Sequence, residues 1–244
     1  MAAPDPELSL VAPVYNEVEN LRPLVERVRE VFDRKLSWEL LLVDDGSFDG
    51  STALIRQLAE EDGRVRGVFH PENRGQTNAV ASGVRFARAP LTATLDADMQ
   101  NDPLDLVEMH ARLAKNDAVV GYRVKRRDDW IRRLSSRFAN AVRNGLTGDR
   151  IRDTGCSLKL FRTEAIRSIP LFEGMHRFLP TLMRMYGYQV IEHPVSHHPR
   201  LRGTSKYGVW NRAFRALRDL LAVRWMRTRI IRPLPPGCTT DDRP

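Results

Sequence analysis

Four short apolar runs recur along the first hundred residues, and each is followed by a polar segment. The runs occupy residues 8–14, 38–43, 65–69 and 91–95. Their apolar residues are largely continuous instead of alternating with polar ones, a pattern typical of strands buried on both faces of a sheet. The sequence therefore predicts four buried strands.

Helical patterns separate these runs. After the first run, apolar residues recur at helical spacing at Val18, Leu21, Leu24, Val28 and Phe32. A second helix is predicted over residues 50–61, capped by Asp49, and a third over 77–88. Strands that alternate with helices of this length form βαβ units, so we expect an α/β fold with a mostly parallel sheet.

The segments that follow the predicted strands carry the candidate chemistry. They read PVYNE (13–17), DDGSFDGS (44–51), HPENRGQ (70–76) and DADMQNDP (96–103). Parallel sheets bind ligands at the carboxyl ends of their strands, so we expect these segments to form one acidic crevice. Because gathered carboxylates repel one another, a hard divalent cation is a natural occupant.

The acidic residues allow two interpretations. Asp49, Asn101 and Asp102 are interpreted as helix caps and turn residues. Asp96 and Asp98 differ, because a D-x-D pair directly after a strand places two carboxylates on one side of the chain while Ala97 faces the other way. The chain has neither a G-x-G-x-x-G segment after the first run nor a G-x-x-x-x-G-K-[ST] loop, which disfavours the usual dinucleotide and P-loop folds.

Charge is distributed unevenly along the 244 residues, whose formal net charge is +8. Residues 123–137 contain seven Lys/Arg and two Asp, and residues 200–232 contain ten Lys/Arg against Asp219 alone. The remainder is net acidic, so we expect an anionic partner at defined places: ligand phosphates, a lipid surface or a nucleic acid. Two distant cysteines, Cys156 and Cys238, indicate a reducing compartment. No apolar segment is long enough to predict a membrane span or a secretory leader.

Five motifs, in this order, resemble those of the family 2 glycosyltransferases with the GT-A fold. They are PVYNE, VDDGSFDGS, DADMQNDP, DTGCSLKLFR and RLRGTSKYG, and the resemblance covers residues 8–225. More narrowly, the sequence resembles the branch that makes polyprenyl-phosphate sugars, the dolichol-phosphate mannose synthase group. The resemblance implies a Rossmann-like αβα sandwich over residues 8–207, preceded by a flexible segment (1–7). A basic amphipathic helix (208–231) and a flexible tail (232–244) are expected to follow.

The resemblance also implies roles for individual residues. The donor nucleoside is expected to contact Pro13, Tyr15, Glu17, Val43, Asp45, Asp96 and Ala97. A Mg²⁺ or Mn²⁺ ion is expected at Asp96, Asp98 and Gln100, where it would stabilise the charge of the leaving diphosphate. Arg200 and Lys206, with Asp98, are expected to act in catalysis, because the two basic positions close over the diphosphate in this family.

The acceptor is predicted from what residues 172–182, FEGMHRFLPTL, lack. Family members that use a sugar hydroxyl carry a Glu-Asp base in this region, and neither that pair nor a Q-x-x-R-W motif is present. A phosphate acceptor needs cations instead of a base, and the candidates are Arg123, Arg133, Arg137 and Arg177. Glu173 or His176 as the base for a hydroxyl acceptor, such as a cell-envelope glycan, is the alternative.

Two basic segments have apolar residues at helical spacing: Trp130, Ile131, Leu134, Phe138 and Val142, and Trp210, Phe214, Leu217, Leu221 and Trp225. Such helices are expected to lie on an anionic membrane surface, or else to pack on the domain core. We therefore expect peripheral association with the cytoplasmic face of the inner membrane, directly or through a separate membrane protein.

A phosphatase, a nucleotidyltransferase and a nucleic-acid binder are the rival classes. For the last, no aromatic platform supports a nucleic-acid partner.

Overall fold

The computed structural model describes residues 5–124, 145, 151–170, 172–198 and 209–230, and the side chains of the last segment from residue 218 onward. In this part of the chain the strands are β1 (Leu8–Val14), β2 (Trp38–Asp44), β3 (Val65–Phe69), β4 (Leu91–Thr94), β5 (Ala118–Arg123), β6 (Lys159–Arg162) and β7 (Val190–Val195). The helices are α1 (Val18–Phe32), α2 (Ser51–Glu61), α3 (Gln76–Phe86), α4 (Asp105–Leu113), α5 (Thr163–Arg167), the 3₁₀ helix η1 (Met175–Arg177), α6 (Leu179–Met185) and α7 (Val209–Arg229).

The strands form one sheet in the order β3-β2-β1-β4-β6-β5-β7. The first four strands are parallel, as predicted, and their bounds agree with the prediction to within one residue. β6 runs antiparallel to both of its neighbours, β4 and β5, whereas β5 and β7 pair in parallel. The prediction of a mostly parallel sheet is therefore confirmed.

Helices cover both faces of the sheet. On one face, the alternate residues Leu8, Leu10 and Ala12 of β1 pack in a core cluster with α1 and α4. On the other face, Val11 of β1 and Leu41 of β2 pack with α3. A third cluster joins α3 to α5, η1, α6 and α7. These three layers are the predicted αβα sandwich.

Asp49 accepts hydrogen bonds at the starts of two helices. Its Oδ1 accepts a hydrogen bond from the Ser51 amide at 2.9 Å, and its Oδ2 accepts one from the Val18 amide at 3.0 Å. Because the first amides of a helix have no partner within it, this one carboxylate stabilises the starts of α1 and α2 together. The carboxylate therefore acts at the start of α2 as predicted, although the helix begins at Ser51 and Gly50 holds the N-cap position.

From residue 218 onward, α7 packs on the domain through residues outside the predicted stripe. Leu220 and Val223 are buried in the third cluster, while Leu221 and Trp225 of the stripe are 53% and 62% exposed. For Leu221 and Trp225, the expectation that the stripe packs on the domain core is therefore wrong. None of the helices in the described ranges is both long and apolar enough to cross a bilayer. The other apolar stripe, 130–142, lies outside the described residues.

Candidate active site

Hydrogen bonds join the segments that follow β1 and β2. The Asn16 amide donates to Ser47 Oγ at 2.9 Å, and the Glu17 amide donates to Ser51 Oγ at 3.1 Å. The Phe48 amide in turn donates to Asn16 Oδ1 at 2.9 Å. The predicted convergence of the strand ends is thus present, and small hydroxyl and amide side chains provide it.

Asp45 ties the segment after β2 to the segment after β3. Its side chain is buried, with Oδ1 2.7 Å from His70 Nδ1 and 3.0 Å from the Arg74 amide. Its Oδ2 accepts from the Gly75 amide at 2.7 Å. Val43, two residues earlier, is completely buried in the core between β2 and α3. The predicted place of Asp45 and Val43 beside a nucleobase stays a prediction.

Aromatic side chains stand at the same strand ends. The rings of Tyr15 and Phe48 meet edge to face with centroids 6.2 Å apart, and Phe48 is 82% exposed. Pro13 lines the pocket described below, whereas Glu17 accepts a hydrogen bond from Asn20 Nδ2 at 2.6 Å. These rings leave an open aromatic surface next to the polar strand ends.

The D-x-D segment has the predicted geometry. Ala97 is buried in the first core cluster, so it faces away from the carboxylates on either side of it. Asp98 is buried and accepts from the Gln100 amide at 3.2 Å, and Asp96 accepts from Gln76 Nε2 at 3.0 Å. Asp96 retains partial solvent access, but desolvation by the surrounding protein raises its pKa, and the carboxylate of Asp98 raises it further.

This donor set fits a hard divalent cation. Two mutually repelling carboxylates, with the Gln100 side chain nearby, supply the oxygen ligands that Mg²⁺ and Mn²⁺ prefer. In the described part of the chain no group of three His, Cys, Asp or Glu side chains could hold a metal. Mg²⁺ commonly binds through one or two carboxylates and completes its shell with substrate phosphates. The site therefore suits a metal that arrives with a phosphorylated ligand.

A pocket of about 340 Å³ opens beside Asp96. Pro13, Gln76 and Val80 contribute to its lining, and residues of the 154–159 segment and of η1 form the wall that carries Lys159 and Arg177. Gln76, Thr94 and Lys159 are among the lining residues to which the sequence interpretation gave no role. Lys159 lies within the motif DTGCSLKLFR, where a lysine between apolar residues was the available signal.

His176 reaches the pocket as a neutral imidazole. Its Nδ1 lies 2.6 Å from Thr77 Oγ1, and its Nε2 lies 3.3 Å from Arg177 Nε. Because an arginine can only donate, Nε2 accepts and the proton is assigned to Nδ1. Burial, reinforced by Arg177 and Lys159, lowers the pKa of His176 to about 3. At neutral pH this side chain is a weak base.

We expect the low pKa of His176 to appear in the pH dependence of stability. Its pKa lies far below the unfolded value of about 6.5, so the unfolded chain binds a proton that the folded chain does not. Stability is therefore lost as the pH falls below the unfolded pKa, by about 2 kcal/mol between pH 6.5 and 5. Denaturant unfolding of the His176→Gln variant should show a correspondingly smaller loss. His110→Gln, on α4, is the control. If the free energy of unfolding of His176→Gln falls as steeply with decreasing pH as that of the unmodified chain, the low pKa of His176 is refuted.

The acceptor candidates differ in their partners. Arg123 forms a bidentate pair with Asp153, with its Nε 2.7 Å from Oδ2 and its Nη2 3.0 Å from Oδ1. Arg177 lines the pocket and has no carboxylate within ion-pair distance among the described residues. Arg133, Arg137, Arg200 and Lys206 lie outside the described residues, so their roles stay predictions.

Comparison with solved structures shows the fold. A mannosyltransferase from Pyrobaculum calidifontis, in complex with GDP-Man and Mn²⁺, aligns with a TM-score of 0.61 at 22% identity, over 96% of this chain and 68% of that one. Glucosyl-3-phosphoglycerate synthase from Mycobacterium tuberculosis, in complex with Mn²⁺, UDP-Glc and phosphoglyceric acid, aligns with a TM-score of 0.65 at 17% identity, over 93% and 81%. These neighbours are GT-A glycosyltransferases, and the predicted GT-A fold is confirmed.

Comparison of sequences shows the family. Dodecaprenyl-phosphate galacturonate synthase of Rhizobium johnstonii is 40% identical over 93% of this chain and 69% of its own length. Undecaprenyl-phosphate 4-deoxy-4-formamido-L-arabinose transferase of Aeromonas hydrophila is 37% identical over 83% and 63%. The chain thus spans about two thirds of these relatives. Residues 9–169 match the model of glycosyl transferase family 2. The chain therefore belongs to glycosyltransferase family 2.

Proposed function

We propose that the protein transfers a sugar from a nucleotide-diphosphate sugar to a polyprenyl phosphate, with a divalent cation and with inversion at the anomeric carbon. The observation that carries this proposal is the pocket itself, where Asp96 of the D-x-D pair shares the lining with Lys159 and Arg177. The names of the two relatives above, both polyprenyl-phosphate sugar transferases, support the same acceptor.

The donor half of the site follows from the strand ends. Asp96, Asp98 and Gln100 would hold Mg²⁺ or Mn²⁺, which would stabilise the negative charge that develops on the leaving diphosphate. Pro13, Tyr15 and Glu17 would contact the nucleoside, and the exposed edge of Tyr15 and Phe48 offers an apolar surface for a base. Gln76 keeps Asp96 oriented through its 3.0 Å hydrogen bond.

A phosphate acceptor fits the remaining wall better than a hydroxyl acceptor. A hydroxyl must lose its proton to a base as it attacks. His176, with a pKa of about 3, is a weak base at neutral pH, and Glu173 is exposed. A phosphate oxygen is already anionic, so it can form the bond to the anomeric carbon directly. The bond from that carbon to the donor diphosphate breaks on the opposite side, and its electron pair leaves with the nucleoside diphosphate.

α7 supplies the surface that we propose for the membrane. Leu221 and Trp225 are exposed on one side of the helix, and Arg218 and Arg224 are exposed beside them. The Arg229 guanidinium lies 5.9 Å from the centre of the Trp225 ring. Exposed apolar side chains flanked by arginines suit the headgroup region of an anionic bilayer. We place this contact at the cytoplasmic face, where a soluble nucleotide sugar and a lipid phosphate can meet.

The membrane contact makes a prediction about vesicle binding. Replacing Leu221 and Trp225 by Ser should weaken binding to vesicles that contain phosphatidylglycerol at least tenfold, because each apolar side chain contributes about 1.5–3 kcal/mol when buried. Sedimentation with the vesicles measures this. Phe86→Ser removes a half-exposed aromatic residue from α3 and is the control. Failure of the unmodified protein to bind would contradict direct membrane contact and favour a separate membrane protein.

The reaction is tested with a panel of UDP- and GDP-linked sugars, Mg²⁺ or Mn²⁺ and a short polyprenyl phosphate. Release of nucleoside diphosphate that requires both the metal and the lipid would support the proposal. Release of inorganic phosphate or pyrophosphate would indicate a phosphatase or a nucleotidyltransferase instead. Salt-sensitive binding of nucleic acid without turnover of a nucleotide sugar would indicate a nucleic-acid-binding protein instead of an enzyme.

A further inference from the structure

We propose that Lys159, together with Arg177, binds the phosphate of the lipid acceptor in the pocket. This inference rests on the proposed function and adds a residue that the sequence interpretation did not assign. Arg177 was a candidate for the acceptor phosphate from the sequence, whereas Lys159 emerges from the structure, where it lines the same pocket.

The position of Lys159 follows from the sheet. It is the first residue of β6 and pairs with Thr94, the last residue of β4. Directly opposed residues of an antiparallel pair project from the same face, and both residues line the pocket. Because β6 pairs with β4, Lys159 lies next to Thr94, at the end of the strand that precedes Asp96.

The Lys159 ammonium is buried and only partly satisfied. The residue is 4% exposed, and its Nζ donates to the carbonyl oxygen of Cys156. An ammonium has three N–H donors, and the described residues provide Nζ with no second acceptor. A buried charge that lacks partners is costly. Burial accordingly lowers the pKa of Lys159, and an anion in the pocket would offset that cost.

The surrounding carboxylates are engaged elsewhere. Asp153 forms the bidentate pair with Arg123, and Asp96 accepts from Gln76 Nε2 and from the Ser157 hydroxyl. No carboxylate of the described residues lies within ion-pair distance of Lys159 or Arg177. His176, which lies between Arg177 and the Thr77 hydroxyl, is neutral and adds no charge. Asp96 and Asp153 attract the Lys159 ammonium from beyond ion-pair distance. Within the described residues, the two cations of this wall therefore have no carboxylate in direct contact.

A lipid phosphate matches this wall better than the donor diphosphate does. The donor diphosphate must accompany the metal at Asp96 and Asp98, whose carboxylates would repel it without that metal. The acceptor phosphate approaches without a metal of its own, so it depends on protein cations to overcome repulsion by the diphosphate. Lysine serves as a point charge and arginine as a bidentate donor for such a group.

The test compares Lys159→Met and Lys159→Arg with the unmodified protein. We expect Lys159→Met to raise KM for a short polyprenyl phosphate at least tenfold while KM for the nucleotide sugar stays unchanged, and Lys159→Arg to recover part of the loss. The melting temperature of Lys159→Met should be unchanged or higher, because an apolar isostere removes a buried charge without a carboxylate partner. Lys115→Met, at an exposed lysine beyond α4, is the control.

Each outcome decides the inference. An unchanged acceptor KM in Lys159→Met overturns it, and an equal rise in the donor KM moves the lysine to the donor site. A lower melting temperature with a parallel loss of donor and acceptor binding indicates a structural lysine. If the unmodified protein makes no glycolipid with any donor, the proposed function fails first, and the inference fails with it.

Discussion

Replacing Asp98 by Asn is expected to abolish metal-dependent binding of the nucleotide sugar and to lower sugar transfer about 10³-fold or more. The substitution keeps the shape of the side chain but removes the negative charge that attracts a divalent cation. Asp98 is buried next to Asp96, so water cannot replace the lost ligand easily. Calorimetric titration of UDP and GDP, with and without Mn²⁺, measures binding separately from turnover.

Asp102→Asn is the matched control for this experiment. Asp102 lies four residues further along, and its carboxylate is held by Arg27, with Nε 3.0 Å from Oδ1 and Nη2 2.9 Å from Oδ2. Its loss should lower stability but leave metal-dependent binding intact. Full activity of Asp98→Asn, or equal loss in both variants, would remove Asp98 from the metal site.

Gly46→Ala is expected to destabilise the fold by about 3 kcal/mol and to weaken donor binding with it. Gly46 has a φ of +74°, and an added Cβ would lie 2.6 Å from the backbone carbon of Glu72 and 2.7 Å from the Asn73 nitrogen. The added Cβ would meet backbone atoms of Glu72 and Asn73, so rotation of a side chain cannot relieve the clash. The segments after β2 and β3 would have to separate where Asp45 joins them.

Gly63→Ala is the control for that substitution, because no atom lies within 4 Å of its added Cβ and its φ is not in the left-handed region. It should change the free energy of unfolding by no more than about 0.5 kcal/mol. Denaturant unfolding of both variants measures the difference. A Gly46→Ala protein as stable as Gly63→Ala would mean that the two segments do not approach as closely as described.

The first half of the fold could be predicted because its signals are local. Residues 8–14 and 65–69 are strands with the predicted bounds. They could be predicted because short, continuous apolar runs between helical patterns are typical of buried parallel strands. β5, β6 and β7 were not predicted. β6 has four residues, β7 contains Pro194, and the placement of β6 antiparallel between β4 and β5 depends on pairing between distant segments.

The same distinction applies to the site. The D-x-D segment was readable because its chemistry lies in consecutive residues. The contact between Thr77 and His176 joins residues 99 positions apart, and the low pKa of His176 comes from burial that no local pattern encodes. Lys159 likewise acquires a pocket position only when β6 pairs with β4. Sequence motifs thus predicted the donor side, whereas tertiary packing was needed to find the wall that carries Lys159.

The most direct measurement compares two acceptors of equal chain length, a short polyprenyl phosphate and the corresponding polyprenol. The protein is supplied with Mn²⁺ and the nucleotide sugar that it binds, carrying a label in the sugar, and labelled lipid is extracted and quantified. We predict labelled glycolipid from the phosphate, none from the alcohol, and none from either when the metal is chelated. Transfer to the polyprenol, or equal transfer to both lipids, would contradict a phosphate acceptor.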